Sequence, residues 1–371
     1  MRVPRMSILP PEGSGDGEDG IKGAEETARD LFEDIVESAF DPADLAAMEA
    51  LDVPRRVVFV HAHPDDESIV TGLTMARYAG QAVGVTLVTC TRGERGEVIG
   101  AEDPNHPRHA ELASLARRPQ QLGQHRAREL SVAMEALGVT DHRFLGDDAL
   151  APDGTPAPVR YEDSGMSWVR PGVAGPSADA HPNALALADV NTAALHLVRI
   201  LRETRPQVVV TYEPGGGYGH PDHIATHRIT MRAVQLAADA GTAGHGEPWQ
   251  VSRVFWVVTP RSVHERTGVL LAECGLGEQQ ISRTLAQDTP AMVVPDDRIN
   301  VEIHAPQLMA NKVAALRAHA TQVIVGEGVY ALSNRIWRPL YPSEFFMIAP
   351  GTSHGGPAPT GIADGFFAGL G

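Results

Sequence analysis

Cysteine is almost missing from this chain, with two in 371 residues, Cys90 and Cys274. Two thiols are too few for a disulfide framework or a cysteine-rich zinc site, so any bound metal must be held by other side chains. Basic residues are also short, 31 Lys and Arg against 47 Asp and Glu, a net charge of −16. Nucleic acids and anionic membranes are gripped through an excess of Lys and Arg, so neither is expected as a partner. No run approaches the roughly 20 apolar residues that a bilayer span requires. The opening stretch, MRVPRMSILPPEGSGDGEDG, holds no apolar core of secretory type before its prolines and glycines. The expectation is an acidic protein of the cytoplasm, acting on or binding a small molecule.

What is present is alternation. Val57–Val60 reads as a buried strand, SIVTGLTMARYAG as a helix closing on Gly80, and AVGVTLVTC as a second strand. QHRARELSVAMEALG is an amphipathic helix ending at Gly138, and HRFLG is a short third strand. A Gly/Pro-rich loop, roughly residues 147 to 185, interrupts the pattern. DVNTAALHLVRILRETRP then reads as a helix, QVVVTY as a strand, the segment after PGGGYG as a helix, and VFWVV as a strand. Strands alternating with helices of this length imply a Rossmann-like, doubly wound α/β fold with a mostly parallel sheet. Beyond residue 260 the pattern is less regular, a smaller α+β portion with a helix in PQLMANKVAALRAHATQV and a closing strand in EFFMIA.

By composition, residues 1–50 form an N-terminal extension. It is disordered in character to about residue 20, then helical in spacing at Leu31, Phe32, Ile35, Val36 and Phe40. Residues 51–350 form the main domain, and 351–371 a Gly/Pro-rich tail.

The chemistry concentrates at two strand ends. The first strand delivers His61, His63, Asp65, Asp66 and Glu67 almost without a break. Burying so many ionisable groups costs several kcal/mol unless something pairs with them. Acids in a first helical turn complement the helix dipole, which accounts for one or two of them but not for His63. A second cluster, His220-Pro221-Asp222-His223, echoes His63-Pro64-Asp65-Asp66: a strand end, a proline suited to the first helical position, then a candidate ligand. Adjacent strands would aim both turns at one spot beyond the carboxyl edge of the sheet, where such folds place ligands. There His63, Asp66 and His223 would form a two-His, one-carboxylate metal site with coordination left open to water. Local sequence does not choose between His61, His63 and His220 as first ligand, although spacing favours His63. Asp65 and Asp222 flank the ligands as base or orienting groups. Tyr218 and the glycines of EPGGGYGH also fit a plain turn after a strand.

HAHPDDE followed by GGYGHPDH resembles the LmbE-like (PIG-L) deacetylases, zinc enzymes that remove N-acetyl groups from glucosaminyl conjugates. The likeness extends to LVTCTRGERGEVIG, LGQHRARELSVAMEALGV, FLGD, EDSGM, KVAALRAHATQVIVG and ALSN. It spans roughly residues 55 to 350, more weakly in the middle loop and over 260–300. Within the family the chain is most similar to the branch that deacetylates N-acetylglucosaminyl-inositol, a pseudodisaccharide of mycothiol biosynthesis. The resemblance implies one Zn²⁺ per chain on His63, Asp66 and His223, although Fe²⁺ also suits such N/O ligands. It implies Asp65 as general base, and His220 as oxyanion stabiliser and proton donor with Asp222 as its orienter. It implies Tyr218 at the tetrahedral intermediate, and Arg126, Asp163, Met166 and, more weakly, Glu97 around the substrate. His319 and Asn334 carry no chemistry in their local context and read as structural.

Three rival readings share parts of this pattern. A sister amidase acting on mycothiol S-conjugates shares the scaffold, and RGERGEVIG fits either enzyme, while GYGHPDH and HATQV favour the deacetylase. A non-haem iron oxygenase also uses two His and a carboxylate, but usually within all-β barrels. A sugar-binding module would have no use for Asp65.

Overall fold

The structure, a computed structural model, describes residues 54–371 apart from 152–153, 171–172, 178–179, 355, 357–358, 360 and 371. The helix expected between residues 24 and 40 lies outside the described residues. The first strand, β1 (Arg56–His61), is buried at five of its six positions. Val57 and Phe59 enter one core and Val58 and Val60 the other, because alternate side chains point to opposite faces. Only a sheet covered on both sides tolerates such a strand.

The covering layers follow from the helices. On one face lie α1 (Asp66–Val70), α2 (Gly72–Gly80), α4 (Pro119–Leu137) and α10 (Met309–Ala318), with Leu73, Met75, Leu130 and Ala315 turned inward. On the other lie α5 (Val190–Thr204) and α6 (Pro221–Ala238), contributing Leu197, Val198, Ile229 and Ala233. Between them runs a sheet ordered β3-β2-β1-β6-β7-β13-β9. Its members are β2 (Gly84–Thr89), β3 (Asp141–Phe144), β6 (Val208–Tyr212), β7 (Arg253–Pro260), β9 (Val301–His304) and β13 (Ser343–Ile348). From β3 to β7 all pairs are parallel, and β13 runs antiparallel to both neighbours. The strand order reverses between β1 and β6, paired through Val57↔Val208 and Phe59↔Val210. That is the switch point where the chain leaves a crevice beyond the carboxyl ends of the strands. The expected mostly parallel α/β sheet is present.

Several local expectations are revised. The helix read as one piece to Gly80 breaks at Thr71, where φ is −136°. Thr71 Oγ1 donates to the Glu67 carbonyl (3.0 Å), a back-bond that bends helices. Pro64 does not start a helix; Asp65 caps α1 with φ 112°, so the chain turns once more before helix begins. Pro221 does sit at the first turn of α6, as expected. The interrupting loop carries a hairpin, β4 (Met166–Arg170) with β5 (Val173–Pro176).

Beyond β7 come three short helices, α7 (Arg261–Glu265), α8 (Thr267–Glu273) and α9 (Glu278–Leu285). The two-residue strand β8 (Val293–Val294) pairs with β7. A small antiparallel sheet follows, β10 (Ile324–Val325), β11 (Val329–Ala331) and β12 (Trp337–Pro339). One more helix, α3 (His109–Leu115), precedes α4. No helix among the described residues is long and apolar enough to cross a membrane.

The Gly/Pro-rich end was set apart on composition alone, yet it joins the core. Phe366 is fully buried, its ring centroid 4.6 Å from that of Phe255 and 4.7 Å from that of Phe346. The buried Arg253 donates to the carbonyls of Phe366 and Ala368. Two adjacent phenylalanines outweigh a loop-like composition once a cavity between β7, β13 and Tyr78 exists to take them. Phe366→Ala is expected to lower the unfolding free energy by about 3–5 kcal/mol in denaturant titrations. A loss below about 1 kcal/mol would mean that the end segment does not fill the core.

Candidate metal centre

His63 and Asp66 leave β1 through a tight turn, and His220 and His223 open α6 after β6. Asp66 joins the two. Its Oδ2 accepts the His63 backbone N–H (3.0 Å) and the Tyr212 hydroxyl (2.8 Å). It lies 3.3 Å from His63 Nδ1, and Oδ1 lies 3.3 Å from His223 Nε2. Burial alone would raise the Asp66 carboxyl, but the His223 and His63 rings hold it well below the carboxylate range.

His63 is clasped from two sides. Its Nε2 donates to Asp222 Oδ2 (3.1 Å), leaving Nδ1 toward Asp66. Against the pull of burial, Asp222 and Asp66 hold its pKa well above the histidine range in the metal-free protein. His223 lies flat on Tyr212, with centroids 4.2 Å apart and planes at 11°. Neither of its buried nitrogens has a hydrogen bond among the described residues. An orphaned, buried imidazole nitrogen beside a carboxylate and a second imidazole fits a divalent cation by its donor chemistry. Nitrogens of His63, His220 and His223 also converge, as do donors of His63, Asp163 and Asp222. His220 Nδ1 is taken by the Asp222 N–H (3.1 Å), and Asp222 oxygens are taken by the Ser164 N–H (2.9 Å) and hydroxyl. Asp66, with oxygens toward both His63 and His223, is absent from either convergent group.

That geometry corrects one expectation. Asp222 was to orient His220, but its carboxylate turns onto His63, and only its backbone N–H reaches His220. His220 is the N-cap of α6, so its Nδ1 must accept that N–H, leaving any ring proton of the neutral form on Nε2. Burial, then the charges of His63 and His223, push its pKa well below the ordinary value. His61 is fully buried within β1, bonded to Thr71 Oγ1 (2.9 Å), and burial lowers it to about 4. It packs, as its place in the strand implied.

Asp65 sits beside this group on strained backbone. A φ of 112° costs a non-glycine residue roughly 1–3 kcal/mol and persists only where the surroundings impose it. Its N–H donates to Glu67 Oε2 (2.9 Å), and its carbonyl accepts the Ile69 N–H (3.0 Å). Burial and then the Asp66 charge push its carboxyl up to about 8. Glu67 is itself fully buried, its Oε1 accepting from His319 Nε2 at 2.7 Å. His319, which the sequence leaves as structural, thus reaches across from the end of α10 to brace the Asp65 turn through Glu67. A separation of 252 residues left no local signal.

The remaining predicted residues line one cleft of about 420 Å³ that contains His63, Asp65 and Asp66. Tyr218 packs edge-on to His223 (5.3 Å), and burial followed by the Asp66 charge keeps it a phenol. Gly216, Gly217 and Gly219 around it all take positive φ, which explains the glycine run. Asp163 is buried, accepting the N–H groups of Gly165 (2.8 Å) and Arg95 (3.2 Å), and Met166 lies beside it on the wall. Glu97 is exposed at the rim. Arg126 lines the cleft as well, and its guanidinium donates to the carbonyls of Gly93 and Glu97 (2.8 Å) and to Thr321 Oγ1 (3.4 Å). Through three of its five donors it clamps the loop after β2. Tyr212 escaped sequence reasoning, although its place as last residue of β6 was a usable signal.

The PIG-L family model, described as GlcNAc-PI de-N-acetylase, matches residues 58–234. A 1D-myo-inositol 2-acetamido-2-deoxy-alpha-D-glucopyranoside deacetylase of Kineococcus radiotolerans is 45% identical over 367 residues, 97% of this chain and 95% of that protein. One of the same name from Streptomyces scabiei is 46% identical over 319 residues, 84% of this chain and 90% of its own. The solved N,N'-diacetylchitobiose deacetylase of Pyrococcus horikoshii is 18% identical with a TM-score of 0.47, covering 88% of this chain and 93% of that one.

The Glu67–His319 pair carries a pH signature. His319 is raised above 6.5 through the Glu67 charge and bond, against burial, so its stabilisation is complete below 6.5 and fades as pH climbs. Glu67 is lowered below 4.5 by His319, again against burial, so its share is complete above 4.5 and fades as pH falls. The stability gap between wild type and Glu67→Gln should therefore be widest between pH 4.5 and 6.5 and narrow above it. Urea unfolding at about pH 5.5 and about pH 9 measures this, and an unchanged gap would mean that the pair is uncharged.

Proposed function

This chain belongs to the PIG-L family, and from that membership we propose that it is a metal-dependent N-deacetylase of N-acetylglucosaminyl-inositol. The products are glucosaminyl-inositol and acetate, a reaction of mycothiol biosynthesis. The observation that carries this reading is Asp65, held at a φ of 112° beside two imidazoles and a second carboxylate at the mouth of the cleft. The cleft above them has the volume of a small-ligand pocket.

His63, Asp66 and His223 would hold the metal, which we take to be Zn²⁺, with Fe²⁺ compatible with the same donors. A divalent cation bound there lowers the pKa of water toward about 7 and polarises the acetyl carbonyl. Asp65 takes a proton from water as its oxygen bonds to the carbonyl carbon. His220, kept neutral by burial, offers Nε2–H to the developing oxyanion, and the Tyr218 hydroxyl offers a second donor. Breaking the C–N bond requires a proton on the departing nitrogen. A neutral His220 is a poor acid, so Asp65 returns the proton it took. Asp222 keeps His63 Nε2 occupied and its Nδ1 directed at Asp66. Asp163, Met166 and Glu97 line the substrate's path.

Asp65→Asn is expected to lower kcat by roughly 10²–10⁴-fold with metal content unchanged. Near-normal turnover by that variant would remove Asp65 as base. Chelator treatment should abolish hydrolysis, and Zn²⁺ or Fe²⁺ should restore it. The acetylated glucosaminyl-inositol should be cleaved faster than a bimane-labelled mycothiol conjugate; the reverse order would make the protein the conjugate amidase instead.

A further inference from the structure

The cleft that holds the metal centre is also lined by residues of β11 and β12 and of the loops beside them. In that sheet Tyr330 of β11 and Arg338 of β12 stand directly opposite one another. Directly paired residues on antiparallel strands share a face. Both line the same cleft that holds His63 and Asp65. The Arg338 charge acts on the hydroxyls of Tyr218, Tyr330 and Tyr341, which line the same cleft.

What sets the pair apart is the absence of partners. Two other charged groups of the cleft are engaged within the protein, Glu344 with Lys312 (2.6 Å) and Asp163 with backbone N–H groups. Among the described residues, no carboxylate lies within ion-pair distance of Arg338, and neither its guanidinium nor the Tyr330 hydroxyl makes a hydrogen bond. A half-buried guanidinium with every donor open, in so acidic a protein, is unusual unless a ligand supplies the acceptors. Its fork spans two neighbouring oxygens, a spacing that adjacent ring hydroxyls provide.

We propose that Arg338 and Tyr330 form the subsite for the hydroxyl-bearing ring joined to the acetylated sugar, and so set the preference for a conjugate over the free monosaccharide. This rests on the deacetylase reading above. The acetamide lies at the metal centre, the second ring extends along the cleft, and adjacent hydroxyls accept from the Arg338 fork while Tyr330 borders the same ring. Arg338 touches no reacting atom in this arrangement, so it acts on binding of the conjugate and not on the chemical step.

The test measures kcat/KM for N-acetylglucosaminyl-inositol and for free N-acetylglucosamine with wild type, Arg338→Met and Tyr330→Phe. The ratio of the two values should fall about tenfold in Arg338→Met, mostly through KM for the conjugate, and about threefold in Tyr330→Phe. Thermal melting checks that Arg338→Met folds; if it does not, Tyr330→Phe, which loses a single oxygen, carries the test. An unchanged ratio in the folded variants, with wild type active on the conjugate, overturns this subsite while leaving the deacetylase reading intact. Wild type that cleaves neither compound overturns both.

Discussion

Asp66 is the group on which the arrangement depends. Its two oxygens meet a backbone N–H, a tyrosine hydroxyl and two imidazoles, drawn from the ends of β1, β6 and α6. A buried carboxylate is costly without such company. Here the company comes from both sides of the point where strand order reverses, so the same contacts that make the charge tolerable also hold the two turns together. The sheet brings the turns near each other, and Asp66 sets their distance.

Around that centre the protein accepts local strain. Asp65 sits at a positive φ that most residues avoid, and the Glu67–His319 pair braces the turn from α10. Three glycines at positive φ let the loop after β6 fold under Tyr218. Both distortions lie at the carboxyl edge of the sheet, where rigid strands beneath can hold them. Arg126 and Glu94 serve the neighbouring loops in the same way, tying Gly93, Glu97, Arg160 and Asp163 together. The walls of the cleft are therefore hydrogen-bonded structure, and the groups left without such bonds, His223 and Arg338 with Tyr330, stand out against it.

The portion after β7 supplies more than a cap. It sends His319 to the turn that holds Asp65, Phe366 to the core and Arg338 to the lining of the cleft. Its short helices and small sheet lack the regular period of the first half, so its contributions come from single residues placed by long-range contacts.

That contrast marks where sequence ends and tertiary structure begins. The alternation of helix and strand, both faces of β1, Gly138 as a left-handed helix stop and the pairing of two His/Asp turns were all legible, because each rests on neighbours within a few residues or on hydrophobic period. The direction of the Asp222 carboxylate and the bonds of Arg126 to carbonyls were not, because a side chain's partner across 29 to 159 residues leaves no trace in local spacing. The chain by itself determined which groups gather at the switch point. Folding decided which of them face each other, since hydrogen bonds are directional and only packed elements set the directions.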